Sequence, residues 1–123
     1  MQNQTIKLTK WFRIRGSHRI AGISGQCSKT HGHDWRIGVI VDGPLHNELL
    51  TIADTEQIKA AFWAIFDSND HVDWNERLGC ENASTEAIAV FIRGQLGVSA
   101  ISHILCGVIV EESDGLTVEV AVR

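Results

Sequence analysis

Trp35-Arg36-Ile37-Gly38-Val39-Ile40-Val41, running into Asp42-Gly43-Pro44, decides the fold class. Its β-branched residues mark a strand, and the Asp-Gly-Pro triplet ends it in a turn. Upstream, Thr5 to Ile14 sets Ile6, Leu8 and Phe12 among polar neighbours, the two-residue period of a strand. The two segments read as antiparallel neighbours joined through the loop around Gly22 to Gly25. Downstream the period changes. From Asp54 to Phe66, Ile58, Phe62, Ile65 and Phe66 share one helical face, with Asp54 as N-cap and Gln57 at capping-box spacing. A second helix is expected from Thr85 to Leu96, with Ile88, Phe91 and Ile92 as its stripe, Ser84 as cap and Gly97 as stop. Leu105 to Glu111 is an apolar strand, Ser113-Asp114-Gly115 turns it, and Leu116 to Val122 alternates again. The order β-β-α-α-β-β predicts an α+β fold with an antiparallel sheet.

The 123 residues carry no linker, repeat or low-complexity stretch, and Pro44 is the single proline. One domain spanning 1–123 is expected. The net charge of −4, with no basic run, argues against nucleic acid and against an anionic membrane surface as partners. No apolar stretch approaches the roughly 20 residues that cross a bilayer. The polar start, Met1 to Thr5, has no signal-peptide core, so a cytoplasmic location is expected. Cys27, Cys80 and Cys106 are odd in number and widely spaced, unlike a disulfide framework. Cys80 and Cys106 read as ordinary buried thiols.

The chemistry gathers around histidines. In His31-Gly32-His33 the imidazoles are two residues apart, so in an extended chain they face one side. His18 ends the first strand segment and comes beside them if the first two strands pair. Three histidines with an open fourth position form a catalytic zinc pattern; without metal they are polar strand ends. Cys27, four residues before His31, is either a fourth ligand that closes the site or a nearby thiolate acting as base or nucleophile. In Asp70-His71 the carboxylate can orient the ring for proton transfer. Glu111-Glu112 closes the apolar strand, and whichever carboxylate faces inward needs donors, such as the paired N–H groups of a heterocycle. His46 and His103 stand alone and read as surface or loop residues.

Together these pieces resemble the 6-pyruvoyltetrahydropterin synthase family, which includes the bacterial 6-carboxytetrahydropterin synthases. The likeness covers nearly the whole chain. Ser17-His18-Arg19-Ile20 resembles its first ligand motif and Cys27-x3-His31-Gly32-His33 its cysteine and paired-histidine motif. Asp70-His71 followed by Asn75-Glu76 resembles its Asp-His segment. Ser84-Thr85-Glu86 and Glu111 resemble its pterin-contacting motifs. The resemblance implies the tunnelling fold (T-fold): an antiparallel four-stranded sheet with two helices between strands 2 and 3, assembled as a homo-oligomer, a hexamer made of two trimers, with sites at subunit interfaces.

The implied activity is that of a lyase on 7,8-dihydroneopterin triphosphate. Zinc would sit on His18, His31 and His33. Cys27, Asp70 and His71 would be catalytic, and Glu111 would anchor the pterin, with Glu86 and Thr85 as a second contact. Charge alone, rather than the resemblance, offers Lys29, Arg13 or Arg15 for the phosphates. The short Cys27-to-His31 spacing resembles the enzymes that form 6-carboxytetrahydropterin on the queuosine route, releasing triphosphate and acetaldehyde. Ser17-His18-Arg19 and Ser84-Thr85-Glu86 also resemble the pyruvoyl-forming type. The chain departs from the family where threonine commonly follows the strand-ending glutamate, since Glu112 follows Glu111. It has Asn82-Ala83-Ser84 for Asn-Pro-Thr, and it lacks tyrosine. Two other readings stay open: a catalytically silent module that binds a pterin or purine, and a structural zinc domain closed by Cys27.

Overall fold

The computed structural model describes residues 4–23, 25–46, 48–66, 71–113 and 115–122, with the side chains of Gln26 and Cys27 outside the description. The elements run β1 (Ile6–His18), β2 (His31–Gly43), α1 (Thr55–Phe66), β3 (His71–Asp73), α2 (Trp74–Leu78), α3 (Thr85–Leu96), β4 (Leu105–Glu111) and β5 (Thr117–Ala121). The sheet order is β3-β1-β2-β4-β5. The four long strands pair antiparallel, as the T-fold requires. A fifth strand was not anticipated: β3 is three residues long and runs parallel to β1. It is too short to show a hydrophobic period. With α2 it forms a small insert between the two main helices.

β1 and β2 extend well beyond their apolar stretches, to 13 residues each. Their register is set by the inward row. Phe12 faces Ile37, Ile14 faces Trp35, Gly16 faces His33 and His18 faces His31. The histidines are therefore strand residues, placed where the core row reaches the end of the sheet. Helices α1 and α3 cover the inward face. Phe62 of α1 stacks on Phe12 with ring centroids 4.0 Å apart, and Ile58, Phe66, Ile88, Ile92 and Leu96 are buried with it. Asp54 accepts the Glu56 N–H at 2.9 Å, and Ser84 accepts the Ala87 N–H at 3.1 Å, so both expected caps hold.

Cys80 is exposed and Cys106 half-buried, so neither is the buried thiol expected from the sequence. His46 and His103 are exposed.

Gly16 allows the insert to dock. A Cβ there would lie 2.6 Å from the Val72 carbonyl oxygen, closer than real contacts allow, and a tight 3.1 Å from the Trp35 ring. Gly16→Ala is expected to destabilise the fold by about 1–3 kcal/mol through forced separation of β1 and β3. Urea denaturation would measure it, and an unchanged midpoint would contradict the close approach.

Candidate metal centre

His18, His31 and His33 each present one ring nitrogen into a cluster whose ligand atoms all lie within 4.8 Å of one another. Their other nitrogens are already engaged. His18 Nδ1 donates to the Ala83 carbonyl at 2.7 Å, and His31 Nδ1 donates to the Lys29 carbonyl at 2.7 Å. A carbonyl only accepts, so in the neutral form both rings carry the proton on Nδ1 and present the Nε2 lone pair to a metal. His33 Nδ1 lies 3.0 Å from Ser113 Oγ, which orients it in the same way. Among the described residues, the buried Nε2 atoms of His18 and His33 have no hydrogen-bond partner. Buried polar atoms rarely go unmatched. The donor set therefore fits a resident zinc: three imidazoles, fixed by outer contacts, around one point.

The chain after His18 is held by side chains that are not themselves ligands. Asn75 Oδ1 accepts the Arg19 N–H at 2.8 Å while its Nδ2 donates to the Arg19 carbonyl at 3.0 Å. Asn82 Oδ1 accepts the Gly22 N–H at 2.7 Å, and Ala83 N–H donates to the Arg19 carbonyl at 3.1 Å. These bonds bring Ala83 beside His18. The sequence offered Asn75 and Asn82 only as pieces of motifs, because their partners lie more than fifty positions away.

Trp35 forms the floor, with ring centroids 5.1 Å from His18 and 5.0 Å from His33. Burial pulls the His18 pKa below its usual 6.5, and its neighbours His31 and His33 push the same way, outweighing the Ala83 carbonyl and Glu112. The neutral ring that a metal needs is thus the resting form. Below about pH 6.5 His18 is protonated to a smaller extent in the folded metal-free chain than in the unfolded chain. Stability from neutral His18 is therefore present above that pH and lost as pH falls. The urea midpoint of chelator-treated protein is expected to drop between about pH 7.5 and about pH 5.5; a flat profile would contradict it.

The two strand-end carboxylates separate by strand parity. Arg36 pairs with Glu111 across the ladder, and Arg36 donates to Glu111 at 3.2 Å while covering the Trp11 ring. Glu111 therefore lies on the face away from the helices and away from the histidines. This corrects its expected place in the site. Glu112, one position on, is buried at 8 % exposure on the histidine side. It accepts a hydrogen bond from buried Thr85 and sits 3.6 Å from His18 Nε2 and 3.9 Å from His33 Nε2. One signal could have found it: Glu112-Ser113 matches a glutamate followed by a hydroxyl residue better than Glu111-Glu112 does.

Thr85 and Glu86 open α3 at the same place. A cleft of about 170 Å³ is lined by the three histidines, Thr85, Glu86 and Glu112, with Ile20 and Leu116 as apolar walls. Glu86 is exposed within it. His71, in contrast, is exposed on β3 in register with Arg15, on the other side of the sheet. It lines a separate open groove of about 640 Å³ that also reaches His33 and Ser113. Asp70 lies outside the described residues, and of Cys27 only the backbone is placed, in a 3-10 turn (Gly25–Ser28) that leads into β2.

A sequence model of the 6-pyruvoyl tetrahydropterin synthase family matches residues 7–122. A curated relative, the 6-carboxy-5,6,7,8-tetrahydropterin synthase of Synechocystis sp., is 29% identical over 92 residues, covering 71% of each chain. The 6-pyruvoyl tetrahydropterin synthase structure from Caenorhabditis elegans shares the fold at a TM-score of 0.86 and 17% identity, with 100% of this chain and 99% of that one covered. The Plasmodium falciparum 6-pyruvoyl tetrahydropterin synthase structure aligns at 0.70 and 16% identity, covering 96% and 98%. Matched by the family across nearly its whole length, and carrying three converging histidines at the end of the shared sheet, the chain belongs to the 6-pyruvoyl tetrahydropterin synthase family.

Proposed function

We propose that the protein is a zinc-dependent 6-carboxy-5,6,7,8-tetrahydropterin synthase that acts on 7,8-dihydroneopterin triphosphate and releases triphosphate and acetaldehyde, as on the queuosine route. One observation carries the reading: three histidine ring nitrogens converge at the head of a cleft whose other walls are two carboxylates, the Thr85 side chain and two aliphatic side chains. That combination suits a flat, polar-edged heterocycle with a hydroxylated side chain. The carboxy product is favoured by the name of the Synechocystis relative and by the short Cys27-to-His31 spacing.

Zinc bound by His18, His31 and His33 would supply Lewis acidity toward the hydroxyls of the substrate side chain. The chain's own residues do the rest. Cys27, in the turn that leads into the ligand strand, takes the proton from the side-chain carbon. Glu86 anchors the pterin. The ring's paired N–H donors lie at the far end of the bicycle from the side chain that meets the metal. Glu112, within 4 Å of two ligand nitrogens, is too close to the metal for that task, whereas Glu86 opens the same cleft from the first turn of α3. Glu86→Gln is expected to raise KM by about tenfold or more, the loss of one charge-assisted contact; an unchanged KM would reassign the anchor.

Asp70 and His71 serve the Cys27 proton in this reading, supplied across a subunit boundary, because β3 presents His71 away from its own histidine cluster. This fits a homo-oligomer, a hexamer of two trimers, formed through the sheet face left uncovered by the helices, where Trp11 is 38% exposed. The reading places the enzyme in the cytoplasm, where Cys27 stays a reduced thiol. Among the described residues no helix is long and apolar enough to cross a membrane.

The test is product identity. Zinc-loaded protein incubated with 7,8-dihydroneopterin triphosphate should give 6-carboxytetrahydropterin and acetaldehyde by mass spectrometry. A 6-pyruvoyl product would move the assignment to the other branch. Binding without turnover would leave a pterin-binding module.

A further inference from the structure

We propose that Asn75 is a positioning residue of the metal centre: its carboxamide braces the main chain behind His18 and so holds that ligand's ring toward the metal. The assignment rests on the zinc reading above. His18 is the last residue of β1, and neither β2 nor β3 pairs with the chain beyond it. Asn75, in α2, takes over the task of a neighbouring strand. Its Oδ1 accepts the Arg19 N–H at 2.8 Å and its Nδ2 donates to the Arg19 carbonyl at 3.0 Å, the two bonds that a paired strand residue would make. Nδ2 also donates to the Cys80 carbonyl at 3.2 Å. An N–H on one side and two carbonyls on the other call for a side-chain amide and fix which way it faces.

A short chain of bonds joins this brace to the ring. The Arg19 carbonyl also accepts from Ala83 N–H at 3.1 Å, and the Ala83 carbonyl accepts from His18 Nδ1 at 2.7 Å. Ala83 and His18 are both buried, so water does not replace a bond lost between them. Outer contacts of this kind set the orientation of a metal-bound imidazole. The other two ligands are oriented separately, His31 by the Lys29 carbonyl and His33 by Ser113 Oγ. Loosening Asn75 therefore disturbs one ligand of three and weakens the metal without abolishing its binding. Asn75 is itself well fixed. Its carbonyl accepts from Cys80 N–H at 3.1 Å, Asp73 Oδ1 caps α2 by accepting the Glu76 N–H at 3.3 Å, and buried Trp74 anchors the helix. The insert that presents His71 thus also carries the brace for His18.

Asn75→Asp keeps the shape of the side chain, offers no donor, and sets a carboxylate against the Arg19 and Cys80 carbonyls. Its zinc affinity, measured on the folded protein by chelator competition, is expected to fall about 10–100-fold, the range for loss of an outer contact. A residue that served the fold alone would lower the urea midpoint and leave the zinc affinity of the folded molecules unchanged. Wild-type affinity in Asn75→Asp therefore overturns the proposal, whatever the midpoint. Wild-type protein that binds no zinc overturns the zinc reading, and the proposal with it. If Asn75→Asp does not fold, hydrogen exchange in the wild-type protein decides. Coupling between the metal and the brace is reciprocal, so zinc loading should slow exchange of the Arg19 amide by about tenfold or more. An Arg19 exchange rate unchanged by zinc overturns the proposal and leaves the metal centre standing.

Discussion

Replacing His33 by alanine is expected to weaken zinc binding by about a hundredfold to a thousandfold and to abolish turnover. Structural zinc sites bind with roughly 10–16 kcal/mol shared among four ligands, so one ligand accounts for about 2.5–4 kcal/mol. His33 is the clean choice among the three. Its side chain is 11% exposed, and its Nδ1 partner is the Ser113 hydroxyl, which solvent can satisfy in its place. His18 is 1% exposed and holds the Ala83 carbonyl, so its loss would also leave a cavity and an unpaired buried acceptor. Isothermal titration with zinc, together with a denaturation curve, separates the two effects. Wild-type affinity in His33→Ala would mean that the metal sits elsewhere.

Cys27→Ala is expected to lower kcat by about 10²–10⁴-fold, the range for removing a general base, while zinc content stays at the wild-type value. The split between the two readouts distinguishes the roles left open by the sequence. If Cys27 were the fourth ligand of a structural site, the variant would lose metal and stability together. If it takes the substrate proton, the variant keeps both and loses only the rate. Retained turnover would remove Cys27 from the chemistry.

Most of the fold was legible because its long elements have clean periods. The inward row Phe12, Ile14, Trp35, Ile37 and the caps Asp54 and Ser84 are local features, and local features survive folding unchanged. The insert β3–α2 was missed because three strand residues and five helical ones show no period. The glutamates went astray for a related reason. In Val108-Ile109-Val110 both faces of the strand are apolar, so the run does not say which carboxylate points inward. The ladder does: Arg36 opposite Glu111 fixes the outward face, and Glu112 follows inward. The histidine cluster itself was legible from His-x-His spacing. Its outer supports, Ala83, Asn75 and Ser113, were not, since each contact joins residues that only the folded chain makes neighbours. Glu86 and Thr85 were read as secondary contacts; the shape of the cleft raises Glu86 to the proposed anchor and turns Thr85 toward Glu112.

The central claim is that a zinc ion on His18, His31 and His33 serves pterin chemistry. It is tested most directly by following triphosphate release from 7,8-dihydroneopterin triphosphate as zinc is removed with a chelator and restored stepwise. Release that vanishes with the metal and returns in proportion to occupancy is the predicted result. Equal release from zinc-free protein, or none at full occupancy, would contradict the account.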